Sequence, residues 1–142
     1  MKQISRVLAA VDFSTPARSA FEYALALSQR RGAELAVVHA VPARRPFSWK
    51  APARTALMAT LRERAEQAGV PFLERIQHGD PAQMILLHAQ SVDADVIVMG
   101  THQRSGVDRL RKGSVSGRVT ARATVPVLLL PLVDGDGLPA AA

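Results

Sequence analysis

The chain has no cysteine. Disulfide staples and thiolate metal sites are therefore excluded, and a reducing compartment such as the cytoplasm suits it. Aromatic residues make up only 4% of the sequence. That is too few for the base-stacking platforms that single-stranded nucleic acids require, and no recognition-helix motif is present. Nucleic acid is therefore not an expected partner, although 18 basic residues against 12 acidic ones give a net charge of +6. No apolar run approaches the roughly 18 residues of a membrane span. The start, Met1 to Arg6, leads into a short apolar stretch soon interrupted by Asp12, which does not read as a signal peptide. Catalytic signatures are missing too. There is no Gly-x-x-x-x-Gly-Lys-Ser/Thr run and no Gly-x-Gly-x-x-Gly fingerprint. The stretch Gly113-Ser114-Val115-Ser116-Gly117 misses a nucleophile elbow because Val115 stands where serine is needed. His39, His78, His88 and His102 form no helical pair around a carboxylate, so no metal site is expected.

What is present reads as one globular domain. The 142 residues are 48% apolar and 21% charged, enough to bury a core without cross-links. Short apolar runs alternate with longer helical patterns. Residues 7–11 form the first predicted strand. Thr15 and Pro16 open a helix capped by Ser14 or Thr15, with Ala17, Ala20, Ala24 and Leu27 at helical spacing and Gly32 as its stop. Residues 35–41 are a second strand, followed by a loop with Pro42, Pro46 and Pro52 that carries Arg44, Arg45 and Lys50. The next helix places Leu57, Leu61, Ala65 and Ala68 on one face and ends at Gly69. A third, more polar strand covers residues 72–77. Asp80-Pro81 opens a third helix with Ala82, Ile85, Ala89 and Val92 inward. Residues 95–99 and 126–130 are the last two strands, and the helix between them runs from Gly113-Ser114 to about Ala123. Gly117 inside it is unexpected, because a mid-helix glycine costs about 1 kcal/mol relative to alanine. Residues 1–131 thus read as a single domain and 132–142 as a flexible C-terminal tail.

This alternation predicts right-handed βαβ units and a parallel sheet. The first and fourth strands are apolar throughout, as central strands are, whereas the third is mixed, as an edge strand would be. The order 3-2-1-4-5, doubly wound with helices on both faces, satisfies both. Its switch point lies between strands one and four, where ligands bind in such sheets. Two loops meet there, residues 11–14 and residues 100–114. Gly113 and Ser114 stand at a helix N-terminus, whose free N–H groups and partial positive charge suit a phosphate. The simpler alternative is that they only cap the helix. Arg104, Arg109, Arg111 and Lys112 make the second loop basic, either attracting a polyphosphate or simply facing water.

Over nearly its whole length the chain resembles the universal stress protein family. The resemblance rests on Val11-Asp12-Phe13-Ser14, Val38-His39-Ala40, Gly79-Asp80-Pro81, the run from Val96 to His102, Gly113-Ser114-Val115 and Val125-Pro126-Val127-Leu128. It implies a doubly wound fold and, in one branch of the family, ATP binding without a P-loop, with or without Mg2+. By position, Asp12 would contact the ribose end, Ala10 and the Ala40 backbone would line the adenine pocket, and Met99 and Gly100 would floor the crevice. Gly113, Ser114 and Val115 would meet the phosphates, and His102 and Arg104 lie within reach of the ligand. The ATP-binding branch has glycine where this chain has Gln103. Glutamine enters the left-handed region at some cost, and its amide can contact a phosphate.

The expectation is a nucleotide-binding stress-response module without strong catalytic activity, at most weak ATP hydrolysis. One alternative is a dimeric interaction protein of the same family that does not bind ATP. Another is a weak ATPase or nucleotidyl transferase. The apolar fifth strand, Val127, Leu128, Leu129 and Leu130, lies at a sheet edge and predicts a homodimer, in line with the resemblance.

Overall fold

The computed structural model describes residues 3–101 and 114–131. The predicted tail, 132–142, lies outside the described residues. The elements in chain order are β1 (Arg6–Ala10), α1 (Thr15–Arg31), β2 (Glu34–Val41), α2 (Ala51–Gln67), β3 (Phe72–His78), α3 (Pro81–Ser91), β4 (Val96–Gly100), α4 (Val115–Arg122) and β5 (Val127–Leu130). All strands are parallel, in the order β3-β2-β1-β4-β5. This is the predicted order, and the strand ends differ from the prediction by a residue or so.

The central strands are buried on both faces, so their side chains divide between two helical layers. Val7 and Ala9 of β1, with Val96 and Val98 of β4, pack under α1 and α2 with Phe21, Leu25, Met58 and Leu61. Leu8 and Ala10, with Ile97 and Met99, pack under α3 and α4 with Ile85, Ala89 and Val119. Strands this apolar can only be central, because each face needs its own cover. In β3 both predicted features meet: Phe72 and Ile76 pack inward, while Glu74 and His78 are exposed at the edge.

Helix ends follow the local chemistry. Ser14 is the cap of α1, accepting the Ala17 N–H at 3.3 Å. Gly32 takes a left-handed conformation, φ 64°, and its N–H closes the last turn on Ser28. The amino ends of the strands are tied shut by polar groups. The Asp95 carboxylate accepts the Ser5 and Arg6 N–H groups at 2.7 and 3.0 Å. The Arg6 guanidinium reaches the Val92 carbonyl at 2.6 Å and pairs with Glu34. At the carboxyl ends of β1 and β4 the sheet opens into a cleft.

Candidate functional site

At the carboxyl end of the sheet β2 and β4 flank β1, so the chain leaves β1 for one face and β4 for the other. The gap between these departures is a cleft of about 770 Å³, within the range of small-molecule sites. Its floor is apolar, made by Ala10, Val38 and Met99. Of the residues singled out from the sequence, Ala10, Asp12, Ala40, Met99, Gly100, Ser114 and Val115 all line this one space. His102, Gln103, Arg104 and Gly113 lie outside the described residues.

The β1–α1 turn sets Asp12. Its Oδ1 accepts the Ser14 N–H at 2.7 Å, an Asx turn that fixes the carboxylate at the strand end. Its carboxylate is exposed and is the only one among the described lining residues.

On the opposite wall Ser114 caps α4. Its Oγ accepts the Gly117 N–H at 3.0 Å and lies 3.4 Å from the Ser116 hydroxyl. Gly117 is thus buried in the first turn, beside the cap rather than mid-helix. The helix start is braced from behind. Arg118 makes a two-pronged bridge to Asp80, at 2.8 and 2.5 Å, and Asp80 itself caps α3 through the Gln83 N–H at 3.0 Å. The guanidinium beside it holds the Asp80 carboxyl below the usual carboxylate range. One aspartate therefore fixes the starts of both helices that border the cleft on that face.

His39 lies within β2, inside the strand predicted over residues 35–41. It is 2% exposed, and its Nδ1 is 2.9 Å from the Val11 carbonyl. Since a carbonyl only accepts, Nδ1 carries the proton and Nε2 is left as an acceptor. Burial pushes the His39 pKa down, against the opposing effect of that bond, so the ring is neutral. The Phe13 ring meets it edge-on, with centroids 5.3 Å apart.

Sequence reasoning missed His39, Pro42, Trp49 and Ser116 as lining residues, and reached Phe13 and Thr101 only as members of the two loops it placed at the switch point. One signal was available. The chain has only six aromatic residues (four Phe, one Trp, one Tyr), and two of them, Phe13 and Trp49, stand on this cleft. Among the described residues no group of three or more His, Asp or Glu side chains could hold a metal ion. None of their helices is long and apolar enough to cross a membrane.

The family model of universal stress proteins matches residues 3–131. The chain belongs to the universal stress protein family. A universal stress protein of Thermus aquaticus is 38% identical over 133 residues, 87% of this chain and 96% of that protein. Among solved structures, a universal stress protein in complex with cAMP superposes with a TM-score of 0.74 at 25% identity, over 92% of this chain and 98% of the other. The universal stress protein of Archaeoglobus fulgidus in complex with dAMP gives a TM-score of 0.69 at 25% identity, over 91% and 98%. The fold of this universal stress protein is thus the family's fold, and some of its structural neighbours hold adenine nucleotides.

Proposed function

We propose that this universal stress protein is a nucleotide-binding stress-response module whose cleft takes an adenine nucleotide, ATP with or without Mg2+, and does little chemistry on it. The observation that carries the reading is the polarity of the cleft. An apolar floor at the switch point runs toward the capped N-terminus of α4. An apolar base and an anionic tail match those two ends. The cAMP and dAMP held by structural neighbours support the same ligand class.

In this reading Ala10 and the Ala40 backbone flank the base, Asp12 meets the ribose, Met99 and Gly100 form the floor, and Ser114 and Val115 receive the phosphates. Gly113, His102, Gln103 and Arg104 belong to the same assignment by sequence position. Binding rather than catalysis is favoured because Asp12, the one carboxylate among the described lining residues, already accepts a hydrogen bond from the Ser14 N–H. The protein is further proposed to act as a homodimer joined through β5.

The test is direct. Small molecules released from the denatured protein are identified by mass spectrometry, and ATP-Mg2+ is titrated into nucleotide-free protein by calorimetry. Binding heat with ATP hydrolysis near background is expected. Absence of both co-purified nucleotide and heat would defeat the reading, and rapid turnover would replace it with an ATPase.

A further inference from the structure

The segment between β2 and α2 builds one wall of the cleft, and nothing above gives it a task. It is folded by three successive turns: the Arg45 N–H bonds Pro42 O at 2.9 Å, Trp49 N–H bonds Pro46 O at 2.9 Å, and Ala51 N–H bonds Ser48 O at 3.0 Å. It is anchored at two places. The Arg45 carbonyl lies 2.6 Å from His78 Nε2 at the end of β3. The buried Arg54 guanidinium donates to the Trp49 carbonyl at 3.1 Å and stacks under the Phe47 ring at 4.8 Å.

Trp49, fixed in this way, turns to the cleft. Lys50 follows it in a left-handed conformation, φ 53°, which a residue with a Cβ adopts only when its surroundings impose it. That conformation opens α2 without a side-chain cap. The Lys50 ammonium lies 4.9 Å from the Trp49 ring centre and 5.2 Å from that of Phe13. Phe13 belongs to the β1–α1 turn, so one cation joins the two loops that bound the cleft on this side. No carboxylate pairs with Lys50 among the described residues. Arg45 adds a second cation 5.2 Å from the Trp49 ring.

We propose that Trp49 is a specificity-determining contact of the cleft, packing its indole against the base of the nucleotide, with Lys50 as the positioning residue that clasps it to Phe13. This rests on the reading that the cleft binds a nucleotide. The placement follows from the strand order. Ala40, Pro42 and Trp49 lie on the β2 side, and Ser114 and Val115 lie across the cleft on the β4 side. Phosphates held at the start of α4 leave the base on the β2 side. An indole face there rewards any flat aromatic base and gives nothing to a sugar phosphate or a bare polyphosphate.

Trp49 is the only tryptophan in the chain, so indole fluorescence reports this residue alone. ATP-Mg2+ titrated into the full chain is followed by fluorescence and by calorimetry in parallel. The two signals are expected to share one midpoint. Trp49→Leu weakens ATP binding by about tenfold or more, and Trp49→Phe, which keeps a ring, loses less. Lys50→Gln weakens it by about threefold, and Lys50→Arg restores it. Binding heat without a fluorescence change, or unaltered affinity in both Trp49 variants, overturns the clasp and leaves the nucleotide reading standing. No heat with ATP, ADP, AMP or cAMP overturns both. Should Trp49→Leu fail to fold, the unmodified chain and Trp49→Phe still decide.

Discussion

His88 is the residue most at odds with its surroundings. It is buried in α3, and both ring nitrogens lack a hydrogen-bond partner among the described residues. Burial pushes its pKa down, and the nearby Arg75 charge adds to this. His39 is depressed for the same first reason, with Arg54 lowering it further and Asp12 opposing. Below pH about 6.5 the unfolded chain therefore binds protons that the folded chain refuses. The stability these groups contribute is complete above that pH and is lost as pH falls toward their folded values. Each depressed histidine costs up to about 1.4 kcal/mol per pH unit in that window. Thermal melts between pH 7.5 and pH 5 should show a falling midpoint. In His88→Leu the fall is shallower, and at neutral pH the variant is more stable by about 1 kcal/mol, since two buried unsatisfied nitrogens are gone. An unchanged slope in His88→Leu would show that His88 is not the buried neutral group described here. His39 is left in place in that experiment because its Nδ1 bond to Val11 shapes the cleft wall.

At the scale of elements, the cleft depends on how helices start. Asp80 caps α3 and holds Arg118 of α4. The Asp80–Arg118 bridge is more than a third exposed on both sides, so solvent screening leaves it a small share of the stability. The cap is the larger part. Asp80→Ala should cost about 1 kcal/mol by chemical denaturation, whereas Asp80→Asn, which still caps, should lie close to the parent. Equal losses in the two variants would mean that the charge pair, not the cap, dominates. Much of this level could be read in the sequence. Ser14, Asp80 and Ser114 each precede a helix as capping residues do. The unbroken apolar runs of β1 and β4 fixed them as central strands, and the switch point followed. From there Asp12, Gly100 and Ser114 fall on one cleft by topology alone, while Ala10 was assigned to it through the family resemblance. The segment 42–50 resisted, because two prolines and two arginines among turns have no period to read. Trp49 reaches the cleft only through contacts with Arg54 and Lys50, which are distant from any local pattern. The part His39 plays in the cleft was hidden for a related reason: only the Val11 carbonyl beside it explains a buried histidine in an apolar strand.

At the scale of the whole molecule, β5 is an open edge whose four residues are all half-buried. Their side chains are already committed to the two cores, Leu128 and Leu130 on one face, Val127 and Leu129 on the other. What the edge offers a second copy is therefore chiefly its backbone. The ladder shows which groups face away from β4. Pro126 and Leu130 accept from Ile97 and Thr101 of the β4 side, at 3.0 and 2.9 Å. Along a strand, N–H and C=O point to alternate sides with each residue. Leu128 thus faces β4 with Pro126 and Leu130, and Val127 and Leu129 face outward. Leu129→Pro removes one outward N–H and leaves every bond to β4 intact, a change that edge strands tolerate. If two chains join through this edge, the parent should run as a dimer in light scattering at micromolar concentration, and Leu129→Pro should run as a monomer with unchanged circular dichroism. A variant that stays dimeric would place the contact on another surface, and a parent that is itself monomeric would remove the dimer. The outcome also bears on the cleft. β5 lies beside β4 and directly follows α4, so pairing two β5 edges would bring the α4 sides of two clefts toward each other while leaving both Trp49 walls at the far ends of the sheets.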